Sequence, residues 1–201
     1  SLNTLILQII NIKTYEFITN NVESSDKIFL DAPNRNPLSF NELHQKLEKV
    51  RNNFDNLSIN RSDPVAIVLP NGPDLGFLFI ACSCFAISAP LNPNYSKNEF
   101  KFYLSDLKAK FLIVDPDLKT EASKAAFELG ITIINLSFEQ SIGSLKLTKN
   151  NGDSFIKTIN DYENDTSLLL HTSGTTSKPK LVQLNSSNLI KSSLNIGKTL
   201  Y

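Results

Sequence analysis

Between His171 and Lys180 the chain reads His-Thr-Ser-Gly-Thr-Thr-Ser-Lys-Pro-Lys. The hydroxyls of Thr172, Ser173, Thr175 and Thr176 flank Gly174, and Ser177, Lys178 and Lys180 follow. A polyphosphate needs several donors converging on its oxygens together with compensating positive charge. Gly174 allows close backbone approach and a positive φ. Successive N–H groups and neighbouring hydroxyls can then form a concave anion site. Lys178 and Lys180 bring cationic heads, and Pro179 restricts the chain between them. The segment is not a Walker A loop, because no second glycine follows Gly174 at the spacing that pattern requires. A polar inter-strand loop has a similar composition, yet the order [ST]-S-G-[ST]-[ST]-x-x-P-K should arise by chance in on the order of one chain in 10⁵ of this length. We therefore expect an anion-binding segment at Thr172–Lys180.

The remaining polar candidates are weaker. His171 adjoins the segment and is expected to pack or hydrogen-bond; His44 lies on a surface-patterned helix, where solvation suffices. Cys82 and Cys84 sit inside an apolar run with nothing nearby to stabilise a thiolate, so they are expected to fill core. Two cysteines and two distant histidines can build neither a disulfide framework nor a four-ligand zinc site. Twenty basic and twenty acidic residues give a formal charge of zero, which removes the footprint of a general nucleic-acid or anionic-membrane binder. With 201 residues, 41% of them hydrophobic, the chain can bury a sizeable core, so global disorder is excluded.

The elements that must position the segment alternate in period. Ile28–Ala32 reads as a strand, Asn34–Pro37 as its turn, and Leu38 as the returning chain. Ser39 and Glu42 offer a capping box for a helix whose Leu43, Leu47, Val50 and Phe54 share one stripe. Val65–Leu69, Phe111–Val114, Ile131–Leu136 and Leu168–Leu170 are short apolar runs, as expected of strands buried on both faces. Leu75–Leu91 is a 17-residue uncharged run; a buried core helix is expected there, with a membrane span as the lesser reading. Ser96 and Glu99 start another helix with Phe100, Tyr103, Leu104 and Leu107 inward. Ala122–Leu129 is a helix stopped at Gly130. Ser137–Asp165 is polar and too long for a simple connection, so it reads as a surface excursion with room for a hairpin. Leu181–Leu184 is a strand, and Asn185 or Ser186 caps a last helix carrying Leu189, Ile190, Leu194 and Ile196. Strands alternating with helices predict α/β architecture, a mainly parallel sheet flanked by helices. There is no internal repeat.

On these residues the chain resembles the adenylate-forming (AMP-binding) enzymes, which include acyl-CoA synthetases, 4-coumarate–CoA ligases, luciferases and peptide-synthetase adenylation domains. Thr172–Lys180 is similar to their phosphate-binding signature. Leu38–Leu43, Asp63–Asn71 and Ala89–Tyr95 resemble successive blocks of their large domain, as do Glu99-Phe100 and Tyr103–Asp106. The Ala-Pro-Leu-Asn-Pro-Asn-Tyr wording and Ser177 narrow the likeness to peroxisomal CoA synthetases and oxalate–CoA ligases of fungi and plants. Ser177 and Leu181 stand where most relatives carry glycine, and both add bulk. Asn92 and Tyr95 are expected to do turn chemistry.

The resemblance implies a two-step reaction. A carboxylate attacks the α-phosphorus of Mg-ATP to give an acyl-adenylate and pyrophosphate, and the CoA thiol then displaces AMP. It implies ATP, Mg²⁺ and CoA as cofactors and a small carboxylic acid, oxalate or similar, as substrate. Thr172, Ser173, Gly174, Thr175, Thr176, Ser177, Lys178 and Lys180 would bind phosphate, with Thr176 also on the metal. No general base is assigned, because a substrate carboxylate is already ionised at neutral pH. A peroxisomal or cytoplasmic location is implied, without nucleic acid or a membrane span.

The chain opens on Ser1 and ends inside a helical pattern, which suggests a piece of a longer protein. Residues 1–201 are then expected to be the N-terminal part of the family's large domain. The adenine contacts, the carboxylate pocket and a C-terminal lid with its lysine would lie elsewhere, so no catalytic residue is assigned here. A truncated, non-catalytic paralogue keeping the fold is the alternative. The Leu5–Ile12 run lacks the basic lead and cleavage site of a secretory peptide.

Overall fold

The structure, a computed structural model, describes residues 13–21, 25–150, 161–172 and 179–192. Helix α1 (Lys13–Asn21) precedes a small antiparallel pair, β1 (Ile28–Leu30) and β2 (Leu38–Ser39). There follow α2 (Phe40–Asn56), β3 (Pro64–Val68), α3 (Pro73–Phe85), β4 (Ile87–Pro90) and α4 (Lys97–Asp106). Then come β5 (Phe111–Val114), α5 (Ala122–Glu128), β6 (Thr132–Phe138), β7 (Leu145–Lys149), β8 (Thr166–Thr172) and β9 (Lys180–Asn185). Residues 186–192 are helical.

The seven-stranded sheet has the order β7-β6-β5-β3-β4-β8-β9. Its five inner strands are parallel, and β7 and β9 close the two sides antiparallel. The expected α/β class holds, and the strand alternation explains it. Val65 and Ile67 point into the core shared with α2 and α3, together with Phe54, Phe77 and Leu78. Ala66 and Val68 point the other way, against Phe100, Leu104 and Leu107 of the α4 segment and Ala125 of α5. Both faces are therefore covered, which is why the inner strands read as continuous apolar runs.

Both capping boxes form. Glu42 accepts from the Ser39 amide at 3.1 Å and hydroxyl at 2.8 Å, and Glu99 accepts from the Ser96 amide at 2.8 Å and hydroxyl at 2.7 Å. Gly130, at φ 69°, ends α5 in the left-handed region. The excursion after β6 does contain a hairpin: β6 runs on to Phe138 and β7 pairs back from Phe138–Leu145 to Ile134–Lys149.

The Leu75–Leu91 expectation is corrected. Helix α3 stops at Phe85, Ala86 is extended at φ −150°, and Ile87–Pro90 is an interior strand between β3 and β8. Buried helix and buried strand share the same uninterrupted hydropathy, so periodicity could not divide the run. Pro90 disfavours helix just before it and sits at the strand's last position, where its missing N–H costs little. No helix among the described residues is long and apolar enough to cross a membrane. Leu194 and Ile196 lie outside the described residues.

Candidate functional site

The carboxyl ends of β3, β4, β5 and β8 lie along one edge of the sheet, where open α/β sheets place their ligands. The Thr172–Lys180 segment is carried at this edge. Thr172 ends β8 and faces Lys180, the first residue of β9, directly across the ladder. Residues 173–179 therefore connect two antiparallel strands, and the Thr172 hydroxyl lies 3.5 Å from the Lys180 carbonyl. Both side chains are in contact with solvent. Ser173, Gly174, Thr175, Thr176, Ser177 and Lys178 lie outside the described residues. The structure thus brings together the two ends of the expected phosphate site. Leu181 packs half-buried against the core of the α4 face.

His171 does not open to solvent. Its side chain is 5% exposed and its Nε2 lies 2.8 Å from Asp106 Oδ2. Its ring meets Tyr103 edge-on at 4.6 Å, and Tyr103 stacks on Tyr95 at 4.6 Å. Burial, then the bond to Tyr103, pushes the Tyr95 hydroxyl up from its ordinary pKa. Asn92 accepts from the Asn94 amide at 2.9 Å, the turn chemistry expected there. The hydroxyl of Tyr162, in the approach to β8, is pushed up to about 12 by burial first and then by Asp106 and Asp161. The sequence reading had not singled out Asp106, although Tyr103–Asp106 was one of the recognisable blocks. A carboxylate 65 positions from His171 leaves no local signal.

An open cleft of about 530 Å³ lies on the same edge, lined by Asn94, Tyr95, Lys119, Thr120 and Lys124 among others. Lys124 is paired with Glu121 at 2.9 Å, and Thr120 donates to the Pro93 carbonyl at 3.1 Å. Among the described residues no group of three or more His, Cys, Asp or Glu side chains could hold a metal ion.

Cys82 and Cys84 are buried, and burial pushes the Cys84 thiol up to about 12 and Cys82 in the same direction, so neither is a thiolate. His44 is exposed as expected but also lies 2.8 Å from the Tyr15 hydroxyl, joining α1 to α2.

A family model described as AMP-binding enzyme matches residues 18–200. The oxalate–CoA ligase of Arabidopsis thaliana is 33% identical over 181 residues, covering 88% of this chain and 35% of the plant protein. A probable CoA ligase of Humulus lupulus is 36% identical over 171 residues, 81% of this chain and 32% of its own length. The ATP-bound MatB from Rhodopseudomonas palustris has the same fold, with a TM-score of 0.70 at 20% identity over 91% of this chain and 36% of that one. The chain spans about a third of the length of the curated relatives it matches. The family match covers nearly the whole chain, residues 18–200: the chain belongs to the AMP-binding enzyme family.

Proposed function

We infer that this chain is the N-terminal part of the large domain of an ATP-dependent acid–CoA ligase. Residues 1–201 would contribute the phosphate-binding edge, and a C-terminal lid would come from outside them. The observation that carries the reading is the root of the signature, Thr172 opposite Lys180 at the carboxyl edge of the sheet. The donor set fits a nucleotide's phosphates: hydroxyls and ammonium groups, with no carboxylate in the signature to repel them.

In this reading the enzyme joins a carboxylate to AMP with release of pyrophosphate, then passes the acyl group to the CoA thiol. Phosphoryl chemistry of this kind asks the protein mostly for positioning and charge stabilisation. Thr172, Ser173, the Gly174 backbone, Thr175, Thr176, Ser177, Lys178 and Lys180 would hold the β- and γ-phosphates that depart. Thr176 would also help hold Mg²⁺, which supplies charge neutralisation when bound.

Oxalate or another small carboxylic acid is the substrate class, supported by the oxalate–CoA ligases among the relatives. A peroxisomal or cytoplasmic site of action goes with the same likeness. Assaying the full-length protein against a panel of acids, reading AMP and acyl-CoA, tests both levels. A clear preference for long-chain fatty acids would sink the oxalate reading; no acid- and CoA-dependent AMP release at all would sink the ligase reading.

A further inference from the structure

His171 immediately precedes Thr172 on β8, and its side chain is held from outside the strand by α4. Its Nε2 lies 2.8 Å from Asp106 Oδ2. An ionised carboxylate can only accept, so in the neutral ring Nε2 carries the proton and Nδ1 keeps a lone pair. Nδ1 is buried and meets no hydrogen-bond partner among the described residues. The ring also abuts Tyr103, which stacks on Tyr95 in the turn after β4. Two elements distant in sequence, α4 and the β4 turn, thus fix the orientation of one side chain on β8.

A phenylalanine would fill the same space without burying an unpaired nitrogen, an arrangement that carries a desolvation cost. Packing alone therefore leaves the ring nitrogens unexplained, whereas the bond to Asp106 uses one of them. What that bond holds is the residue before Thr172, and Thr172 is paired across the ladder with Lys180.

We propose that Asp106 and His171 form a positioning pair that sets where the carboxyl end of β8 presents Thr172 and Lys180 to the phosphates of a nucleoside triphosphate. His171 acts through the strand and touches no reacting group. The inference rests on the nucleotide-binding half of the ligase reading and not on its acid or thiol chemistry.

The test uses the full-length protein with Mg-ATP as the probe. Equilibrium ATP binding, the KM for each substrate, kcat and thermal unfolding are measured for His171→Phe, His171→Gln and Asp106→Asn. The glutamine amide nitrogen can take the place of Nε2–H and keep the bond to Asp106. Expected is an about tenfold weaker ATP affinity and an about tenfold higher KM for ATP in His171→Phe. The KM values for acid and CoA and the unfolding midpoint should hold, kcat should stay within about twofold, and His171→Gln should recover most of the ATP affinity. Nitrogen NMR of the imidazole should report the Nε2–H tautomer in the wild type and a mixture in Asp106→Asn.

Wild-type ATP affinity in His171→Phe would overturn the proposal. So would a glutamine variant as weak as the phenylalanine one, or a parallel rise of all three KM values with a lower unfolding midpoint. Should His171→Phe not fold, Asp106→Asn decides: weaker ATP binding together with the altered tautomer supports the pair, and unchanged ATP binding overturns it. A wild-type protein that binds Mg-ATP yet forms no thioester would overturn the ligase reading alone, and the binding series would still decide the pair.

Discussion

The Arg35 guanidinium grips both carboxylate oxygens of Asp74, with Nη1–Oδ2 at 2.7 Å and Nη2–Oδ1 at 3.0 Å, while its Nε donates to the Gln140 carbonyl at 3.1 Å. One side chain thereby ties the β1–β2 turn to the first turn of α3 and to the β6–β7 turn. The pair is mostly shielded from solvent, and Asp74 also stands at the positive end of its helix.

Replacing Arg35 by lysine keeps the charge but loses the two-pronged geometry and the bond to Gln140. We expect Arg35→Lys to destabilise the chain by about 1–2 kcal/mol. Urea unfolding checks this, and a midpoint equal to the wild type would show the fork to be ornamental.

Arg61 secures the opposite edge of the sheet. It donates to the carbonyls of Ala86 and Thr166, the latter at 2.9 Å, and to the Ser167 hydroxyl at 2.5 Å. Burial holds its pKa below the ordinary arginine value, against the pull of Asp165. Arg61→Met preserves bulk but strips these buried acceptors of their donor, so a loss of about 2–4 kcal/mol is expected. On the ligase reading the phosphates bind at the other ends of the strands, so ATP affinity of the folded full-length protein should change little. Equilibrium unfolding and ATP titration of the same variant separate the two effects.

What local sequence could reveal follows the range of the forces. The capping boxes at Ser39–Glu42 and Ser96–Glu99 and the Gly130 stop involve residues three or four apart, and all three are where the pattern puts them. The inner strands were legible because two-sided burial demands unbroken apolar runs. Strand β4 was not, because it is as apolar as α3 and joined to it through Ala86 alone. Strand direction at β9 was also hidden, since a strand's apolar pattern is the same whichever way it pairs. At the candidate site, composition and order single out Thr172 and Lys180, which the fold pairs across the ladder; Asp106 carries no such signal, because its partner His171 is brought to it only by the fold.

Acid should dissolve one specific contact between α4 and α5. Lys97 and Lys101 of α4 both bond the Glu128 carboxylate of α5. Those bonds, from Lys101 first and Lys97 second, lower the Glu128 pKa from 4.5 to about 2. A carboxylate depressed in the folded state contributes stability above its unfolded pKa and loses that contribution as pH falls through the folded one. The stability difference between wild type and Glu128→Gln should therefore be constant above pH 4.5 and vanish by about pH 2. The residues are solvent-exposed, so the difference should also shrink with added salt. Denaturant midpoints at several pH values read the result, and a difference that persists at the acid end would refute the assignment.

On the ligase reading, Lys180 neutralises charge on the phosphates that leave in the first step. In the full-length protein, Lys180→Ala should slow adenylate formation by on the order of 10²-fold and thioester formation from preformed adenylate far less. Acid-dependent exchange of pyrophosphate into ATP, set beside single-turnover transfer to CoA, separates the steps. Equal losses in both would show that Lys180 serves the fold or the second step.

The 201-residue chain by itself should make no acyl-CoA at a useful rate. It spans about a third of the length of the curated relatives, and on the ligase reading the segment it carries meets only the pyrophosphate end of ATP. Attack at the α-phosphorus needs the adenine and the acid held in line, and such positioning accounts for about 7–11 kcal/mol of barrier reduction when complete. A closed, water-poor site would also require the lid that the ligase reading assigns to another part of the protein. Weak binding of pyrophosphate or ATP without turnover is the expected behaviour of the purified chain. Acid-dependent pyrophosphate release close to that of the full-length protein would mean that the groups orienting the α-phosphorus already lie within these residues, and the site would have to be sought among them.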